Sequence, residues 1–459
     1  MTHKFNPTIL REYDIRGIVG NTLTEADAYA LGRTYAAIAL EKGARRIAVG
    51  RDGRTHSGML EAALIRGLTE GGLSVQQIGQ GPSPMLYFAT HYLDVDGGIQ
   101  VTGSHNPADY NGFKLLLKGH SVFGKEIQDI GRRSEAGSWS DGQGEVEEVD
   151  IREAYVNRLL EGFSGKSYRI GWDAGNGAAG PILDMLVERL AGEHFTIFTK
   201  VDGTFPNHHP DPTVEKNLAD LKQLVATKEL DFGIAFDGDG DRIGAVDGKG
   251  RVIWGDQLLM ILAEPVLKEV PGATLIADVK ASQAFFDRVA ELVGSPLMWK
   301  TGHSLIKSKM KETGAPLAGE MSGHIFFQHR WFGFDDALYA AVRLIEAVSA
   351  SGKSLTEIMD SMPKTTATPE LRFQVDESRK FAIVEEVRDR LSHSGLKVDS
   401  TDGVRVSTSD GWWLLRASNT QDVLVARAEA ENQAGLDRVV EQIDDQLAKS
   451  GVERVEAAH

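Results

Sequence analysis

One pattern occurs three times in this 459-residue chain and limits the fold more than any other feature of the sequence. RRIAVGRDGRTHSG (Arg45 to Gly58), SYRIGWDAGNGAAG (Ser167 to Gly180) and ATLIADVKASQAFF (Ala273 to Phe286) each read as a strand, a polar loop and the start of a helix. A second glycine-containing loop follows each one: QVTGSHNP (Gln100 to Pro107), IAFDGDGDR (Ile234 to Arg242) and LAGEMSGH (Leu317 to His324). Short apolar runs that end in Gly/Asp-rich loops and lead into helical patterns are how α/β layers look in sequence. A weak threefold repeat of this kind predicts three similarly folded, mixed α/β domains that present equivalent loops.

A single hydrophobic core stops growing well below this length, so the chain must divide. SEAGSWSDGQGEVEEVD (Ser134 to Asp150) is small, polar and acidic, and the helical pattern of AYVNRLL comes next, which puts a boundary near residue 150. RVIWGDQLLM marks another near Arg251, and SMPKTTATPE, with two prolines and several threonines, a third near Lys364. The expected domains are 1–150, 151–251, 252–363 and 364–459. In the last, LRFQV, VRVST, WWLLR and VLVARAEA alternate as strands do and lead into an acidic helix, giving a smaller C-terminal α+β domain.

Composition narrows the function classes. With 41% hydrophobic and 25% charged residues the chain is ordinary globular protein. A net charge of -16 with no long basic stripe repels a phosphate backbone, so nucleic acid is not an expected partner. An anionic small substrate stays open, because local arginines and helix N-termini can make a positive cleft in an acidic protein. The absence of cysteine removes disulfides, thiolate metal sites and thiol nucleophiles, and fits a reducing compartment. No apolar run reaches the length of a signal peptide core or a membrane span, so no membrane partner is expected and the cytoplasm is the expected location.

The chemistry concentrates in four loops. In DGDGDR, Asp237, Asp239 and Asp241 put three carboxylates on alternate residues of a glycine-relieved segment, a density of hard oxygen ligands suited to Mg²⁺. Carboxylates this close repel one another without a cation, which favours a metal site over a solvated acidic turn. An EF-hand fails, because it needs glycine where Arg242 stands and glutamate where Gly248 stands. In VTGSHNPADYNGFK, Ser104 sits in a turn whose backbone N–H groups can hold a phosphate, with Lys114 and Arg16 as cationic partners. An isolated turn serine is usually satisfied by its own backbone; this neighbourhood argues for a nucleophile. The hydrolase elbow is absent, since Thr102 and Asn106 stand where that motif requires glycine. GEMSGH offers Glu320 and Ser322 at alternate positions, suited to neighbouring sugar hydroxyls, and His324 as a general acid or base. RASNT combines Arg416, Ser418, Asn419 and Thr420 in a turn rich in donors, a plausible anion cradle.

In this order YDIRG (Tyr13 to Gly17), TGSHNPADYNGFK, NHHPDP (Asn207 to Pro212), AFDGDGDR, WKTGHSLIK (Trp299 to Lys307), GEMSGH, RWFGFDD (Arg330 to Asp336) and RASNT closely resemble the α-D-phosphohexomutase family, nearest to its bacterial phosphomannomutase/phosphoglucomutase branch. The resemblance runs from about Ile9 to Ala430. It implies four domains around a central cleft, a phosphoserine at Ser104, and Mg²⁺ bound by Ser104, Asp237, Asp239 and Asp241. The implied reaction moves phosphate between C1 and C6 of a hexose through a 1,6-bisphosphate intermediate, with glucose 1,6-bisphosphate as primer. Arg16 joins the catalytic set, Lys114 and His324 are the implied proton-transfer groups, and Tyr13, His105, Arg242, Lys280 and His303 the implied substrate contacts. Glu320 and Ser322 would then contact sugar hydroxyls, while Arg416, Ser418, Asn419 and Thr420 grip the distal phosphate. GEMSGH points to mannose and glucose phosphates; a phosphoglucosamine mutase is the enzymatic alternative, and an inactive phosphosugar- or metal-binding protein the alternative of another class. Two departures stand out: Gln421-Asp422 replaces a proline common in relatives, and Gln257 stands where close relatives can have arginine. A monomer is expected, since no dimer face is evident in the sequence.

Overall fold

In a computed structural model that describes residues 2–376, 378–419 and 422–453, the chain builds four β-sheets. The first holds β1 (Ile15–Ile18), β2 (Arg46–Arg51), β3 (Ser74–Gln80), β4 (Gly97–Val101), β5 (Tyr110–Leu117), β6 (His120–Ser121) and β7 (Val146–Glu148), in the order β1-β5-β4-β2-β3-β7 with β6 on β5. The second holds β8 (Tyr168–Asp173), β9 (Gly192–Ile197), β10 (Phe232–Phe236), β11 (Ile243–Asp247) and β12 (Val252–Ile253), in the order β12-β11-β10-β8-β9. The third holds β13 (Thr274–Asp278), β14 (Ser295–Trp299), β15 (Leu317–Gly319), β16 (Ile325–Phe327) and β17 (Phe334–Asp335), in the order β14-β13-β15-β16-β17.

These three sheets share one arrangement. In the first, β2 lies parallel between β3 and β4, and β4 turns back antiparallel into β5. In the second, β8 lies parallel between β9 and β10, and β10 turns back into β11. In the third, β13 lies between β14 and β15, and β15 turns back into β16. The repeat expected from sequence is thus a repeated strand order. Every residue of β4, β10 and β15 is buried, which is why these segments read as apolar runs without alternation.

The polar stretch from Ser134 to Asp150 is more than a connector. Val146–Glu148 adds an edge strand beside β3, and the Trp139 indole N–H donates to Thr34 Oγ1 at 2.9 Å. All three residues of β7 are exposed, so no apolar alternation marks the strand in the sequence. The second sheet likewise closes with β12 just beyond Arg251.

The fourth sheet holds β18 (Thr366–Ala367), β19 (Leu371–Gln374), β20 (Lys397–Asp399), β21 (Val404–Ser407), β22 (Gly411–Ala417) and β23 (Val423–Ala430). It is antiparallel throughout, in the order β18-β23-β22-β21-β20 with β19 also on β23. Helices Lys380–Leu391 and Gln433–Ala448 cover it, burying Val387, Val439 and Ile443 against Trp413 and Leu415. This core is separate. By contrast, Ala48 and Phe88 of the first domain, Trp172 and Phe236 of the second and Phe285 and Leu338 of the third belong to one continuous apolar cluster. Polar contacts join the fourth domain to the third: Arg405 donates to the Val279 and Ala281 carbonyls at 2.7 and 2.8 Å, and Ser282 Oγ donates to Glu429 at 2.9 Å. Among the described residues no helix is long and apolar enough to cross a membrane.

Candidate active site

The equivalent hairpin connections after β4, β10 and β15 leave the carboxyl ends of strands that run parallel to their neighbours, where open α/β sheets place ligands. Shared topology therefore brings three loops of different chemistry to one place. Ser104 lies in the first. It is buried, and its φ of 49° holds it in the left-handed region that side chains other than glycine seldom adopt. Backbone strain of this kind persists only where surroundings over-determine it. Here they do: the Ser104 N–H donates to Thr102 Oγ1 at 2.8 Å, and Asp52 accepts from the Thr102 hydroxyl at 2.8 Å and the Gly103 N–H at 3.1 Å. Arg54 donates to the carbonyls of Ser104, Asn106 and Tyr110 at 2.7, 2.6 and 3.0 Å. Arg16 closes the outer side through Asn106 Oδ1 at 2.7 Å and an ion pair with Asp14.

The acidic DGDGDR loop packs directly on the serine loop. A Cβ at Gly238 would lie 2.5 Å from the Ser104 carbonyl oxygen, so only glycine permits this approach. Ser104 Oγ is 3.4 Å from Asp237 Oδ2 and 3.3 Å from His105 Nδ1. Asp237, Asp239 and Asp241 are fully buried, with one carboxylate oxygen of each within 4.8 Å of the others. Burial and the charges of Asp241 and Asp239 push the Asp237 carboxyl well above the usual range. Asp241 stays well below it, because Lys114 and His324 outweigh burial. Asp239 Oδ1 is buried without a hydrogen bond. A divalent cation fits these residues: it would take up that oxygen and relieve the repulsion that raises the Asp237 carboxyl. Lys114, on β5, reaches across from the first domain to Asp239 at 2.7 Å and to Asp241. Those carboxylates hold its ammonium charged despite burial, well above the usual lysine range.

The third loop joins the second through a bridge between Arg242 and His324, with Arg242 Nε 3.3 Å from His324 Nε2. His324 Nδ1 lies 2.9 Å from Glu320 and 3.1 Å from the Ser322 hydroxyl, and its Nε2 is 3.2 Å from Asp241. Burial would lower this imidazole, but Asp241 and Glu320 raise it to about 9. His303 and His105 carry no such pairing. Burial and nearby cations (Lys307 for the first, Arg242 for the second) keep both neutral well below the ordinary histidine value. At physiological pH the site thus holds one charged and two neutral imidazoles.

On the fourth-domain side, Arg416 donates to Asp402 at 3.0 Å, and Asp402 also accepts the Thr301 N–H at 3.1 Å. Asn419 reaches Tyr13 at 2.7 Å, and the Ser418 N–H donates to the Val423 carbonyl at 3.0 Å. Lys280, just after β13, pairs with Glu370 at 3.3 Å. Thr420 and Gln421 lie outside the described residues. Asp422 is exposed, and Gln257 accepts the Trp254 N–H at 3.0 Å at the start of helix Gly255–Glu269. The structure therefore joins Ser104, His105, Lys114, Asp237, Asp239, Asp241, Arg242, Glu320, Ser322 and His324 in one continuous set of contacts. Tyr13, Arg416 and Asn419 stand together, and Lys280, paired with Glu370, is near enough for its charge to lower the Glu320 carboxyl. Sequence reading passed over Asp52 and Arg54, which position the serine loop, and Asp335 and Asp402. The RDGR of the first repeat unit was the available signal for the former pair.

Comparison with known proteins identifies the family. The phosphoglucomutase/phosphomannomutase family models match domain by domain: α/β/α domain I over residues 7–140, domain II over 153–250, domain III over 254–366 and the C-terminal domain over 370–446. A phosphomannomutase/phosphoglucomutase of Pseudomonas aeruginosa is 44% identical over 441 residues, covering 96% of this chain and 95% of that protein. The chain belongs to the phosphoglucomutase/phosphomannomutase family, the α-D-phosphohexomutases. It is an isomerase of that family. This phosphohexomutase is also 45% identical over 436 residues to a phosphoglucomutase of Neisseria gonorrhoeae, covering 94% of this chain and 95% of that one. A crystal structure of a family protein from Burkholderia thailandensis superposes with a TM-score of 0.93 at 40% identity, covering 98% and 99% of the two chains.

Proposed function

We propose that this phosphohexomutase interconverts the 1- and 6-phosphates of glucose and mannose through a phosphoserine at Ser104 and a hexose 1,6-bisphosphate. The observation that carries the reading is Ser104 itself: a buried, left-handed serine whose hydroxyl is 3.4 Å from the carboxylate cluster. The full-length relatives named for these two activities support the choice of substrates.

A divalent cation, magnesium by the all-oxygen chemistry of Asp237, Asp239 and Asp241, supplies charge neutralisation for a phosphate on Ser104. Phosphoryl transfer needs an in-line approach and compensation of spreading negative charge. Arg54 and Asp52 hold the serine loop, and Arg16 and the neutral His105 border the phosphate position. Lys114 and His324, which both touch Asp241, are the proposed proton-transfer groups: one, as a cation, protonates the departing oxygen, and the other, in its neutral form, takes the proton of the attacking hydroxyl. Glu320 and Ser322 meet the sugar hydroxyls, with Arg242, His303 and Lys280 completing recognition. Arg416, Ser418, Asn419 and Thr420 take the phosphate that is not reacting. Glucose 1,6-bisphosphate acts as primer by phosphorylating Ser104. A monomer in the cytoplasm completes the reading.

The test is conversion of glucose 1-phosphate and mannose 1-phosphate with Mg²⁺ and the bisphosphate primer, beside Ser104→Ala, with glucosamine 1-phosphate in parallel. Turnover of both hexose phosphates that vanishes in the variant supports the proposal. Turnover of glucosamine phosphate alone, or full activity of Ser104→Ala, overturns it.

A further inference from the structure

Asp335 carries an unused ligand. It lies on β17 in the third domain with no exposure, and its Oδ2 is buried without a hydrogen bond. His303 Nδ1 also lacks one and sits 4.0 Å from that oxygen. One ligand atom each of Asp241, His324 and Asp335 lie within 4.8 Å of one another, and the His303 and His324 ring centroids are 5.9 Å apart.

The surrounding residues leave Asp335 Oδ2 and His303 Nδ1 without hydrogen bonds, while His324 Nε2 also accepts from Arg242 Nε at 3.3 Å, a contact that a metal would displace. Lys307 holds the other oxygen of Asp335, Oδ1, at 3.0 Å, and Lys114 holds Oδ2 of Asp241. Asp241 Oδ1 is thereby left toward His324 Nε2, 3.2 Å away. Glu320 holds His324 through Nδ1 at 2.9 Å, the outer-shell carboxylate that fixes a metal-binding imidazole with Nε2 outward. Buried polar atoms without partners are rare in folded proteins, and here Asp335 Oδ2, His303 Nδ1 and Asp241 Oδ1 are three of them beside the His324 ring.

We propose that Asp241, His303, His324 and Asp335 form a second metal site, for a divalent ion of the zinc type, beside the magnesium site. Two imidazole nitrogens and two carboxylate oxygens are a four-coordinate set that suits Zn²⁺, whereas Mg²⁺ prefers oxygen ligands in octahedral geometry. Asp241 serves both sites. An ion bound there withdraws His324 and His303 from the sugar phosphate, so zinc acts as an inhibitor that excess magnesium does not relieve. The inference rests on the reading of Asp237, Asp239 and Asp241 as the magnesium site, and the test separates the two.

The probe is Co²⁺, a spectroscopic stand-in for zinc, titrated into the full chain in saturating Mg²⁺. The expected result is the intense visible bands of four-coordinate Co²⁺, erased by Zn²⁺, retained in Asp237→Asn, and lost in both Asp335→Asn and His303→Gln. Circular dichroism checks folding of the variants, and His303→Gln carries the test if the buried Asp335→Asn does not fold. Zinc inhibition of turnover, scaled to each enzyme's own uninhibited rate, should need at least about tenfold more Zn²⁺ in Asp335→Asn. Weak six-coordinate bands that excess Mg²⁺ removes, or intense bands that survive in both variants, overturn the second site. Loss of magnesium dependence by Asp237→Asn with the bands intact shows that the two sites stand independently.

Discussion

The Tyr13 hydroxyl in the first domain accepts a hydrogen bond at 2.7 Å from the side-chain amide of Asn419 in the fourth, 406 residues away, and donates to the Thr301 carbonyl of the third at 2.9 Å. One phenol thus ties three domains at the mouth of the site. Gly302 lets the ring in, since a Cβ there would stand 2.5 Å from Tyr13 Cζ. Tyr13→Phe removes both bonds and keeps the ring. Steady-state kinetics should show KM for hexose phosphate up about 3–10-fold, the cost of roughly 1 kcal/mol in the closed arrangement, with a smaller change in kcat.

Arg54 clamps the carbonyls that hold Ser104 in its left-handed conformation, and its Nε lies 3.2 Å from Asp52 Oδ2. Lysine in its place keeps the charge but cannot fork to several carbonyls. Arg54→Lys should lose on the order of 100-fold in kcat, the scale of a small misplacement of a reacting group. Unchanged kcat would show that the serine loop holds its shape without the clamp.

Burial and its two acidic neighbours raise the Asp237 carboxyl well above the usual range in the metal-free protein. Magnesium at a hundred times its Kd should therefore stabilise the wild type by about 2.7 kcal/mol in chemical denaturation. EDTA should remove this increment together with activity. Asp237→Asn, whose amide oxygen can still accept the Asp241 and Arg242 N–H groups, should fold in EDTA and gain no stability from Mg²⁺.

Asp336 caps helix Ala337–Ser351 through the Tyr339 N–H at 2.9 Å and accepts from the Tyr155 hydroxyl at 2.8 Å. Burial raises its carboxyl to about 7 from 3.8. A raised folded-state pKa means a stability contribution fully present below about pH 4 and lost as pH rises through 7. Between pH 5 and 8 this group should cost the wild type roughly 2–3 kcal/mol of unfolding free energy, and Asp336→Asn should lack that slope. Parallel pH profiles for the two proteins would contradict it.

Much of this was legible in the chain. The three units were visible because each buries one strand on both faces and ends it in a Gly/Asp-rich loop, and the acidic DGDGDR loop names its own chemistry by charge density. The longer strands of the fourth domain could be read from their β-branched and aromatic content, although β22 and β23 are buried almost throughout and do not alternate; the two-residue β18 and the three-residue β20 are too short to carry a period. Edge strand β7 was missed for want of a buried face.

The sequence by itself determined which residue types were available and that three equivalent loops would carry them, because local pattern encodes strand, turn and helix. Only the tertiary structure decided which side chains meet. Arg54 under Ser104, Asp402 against Arg416, and Asp335 beside His303 are pairings between elements far apart along the chain, made when the sheets pack and buried charges must find partners. No spacing rule carries such contacts, since they are chosen by the geometry of packed domains and by the cost of leaving a buried polar group alone.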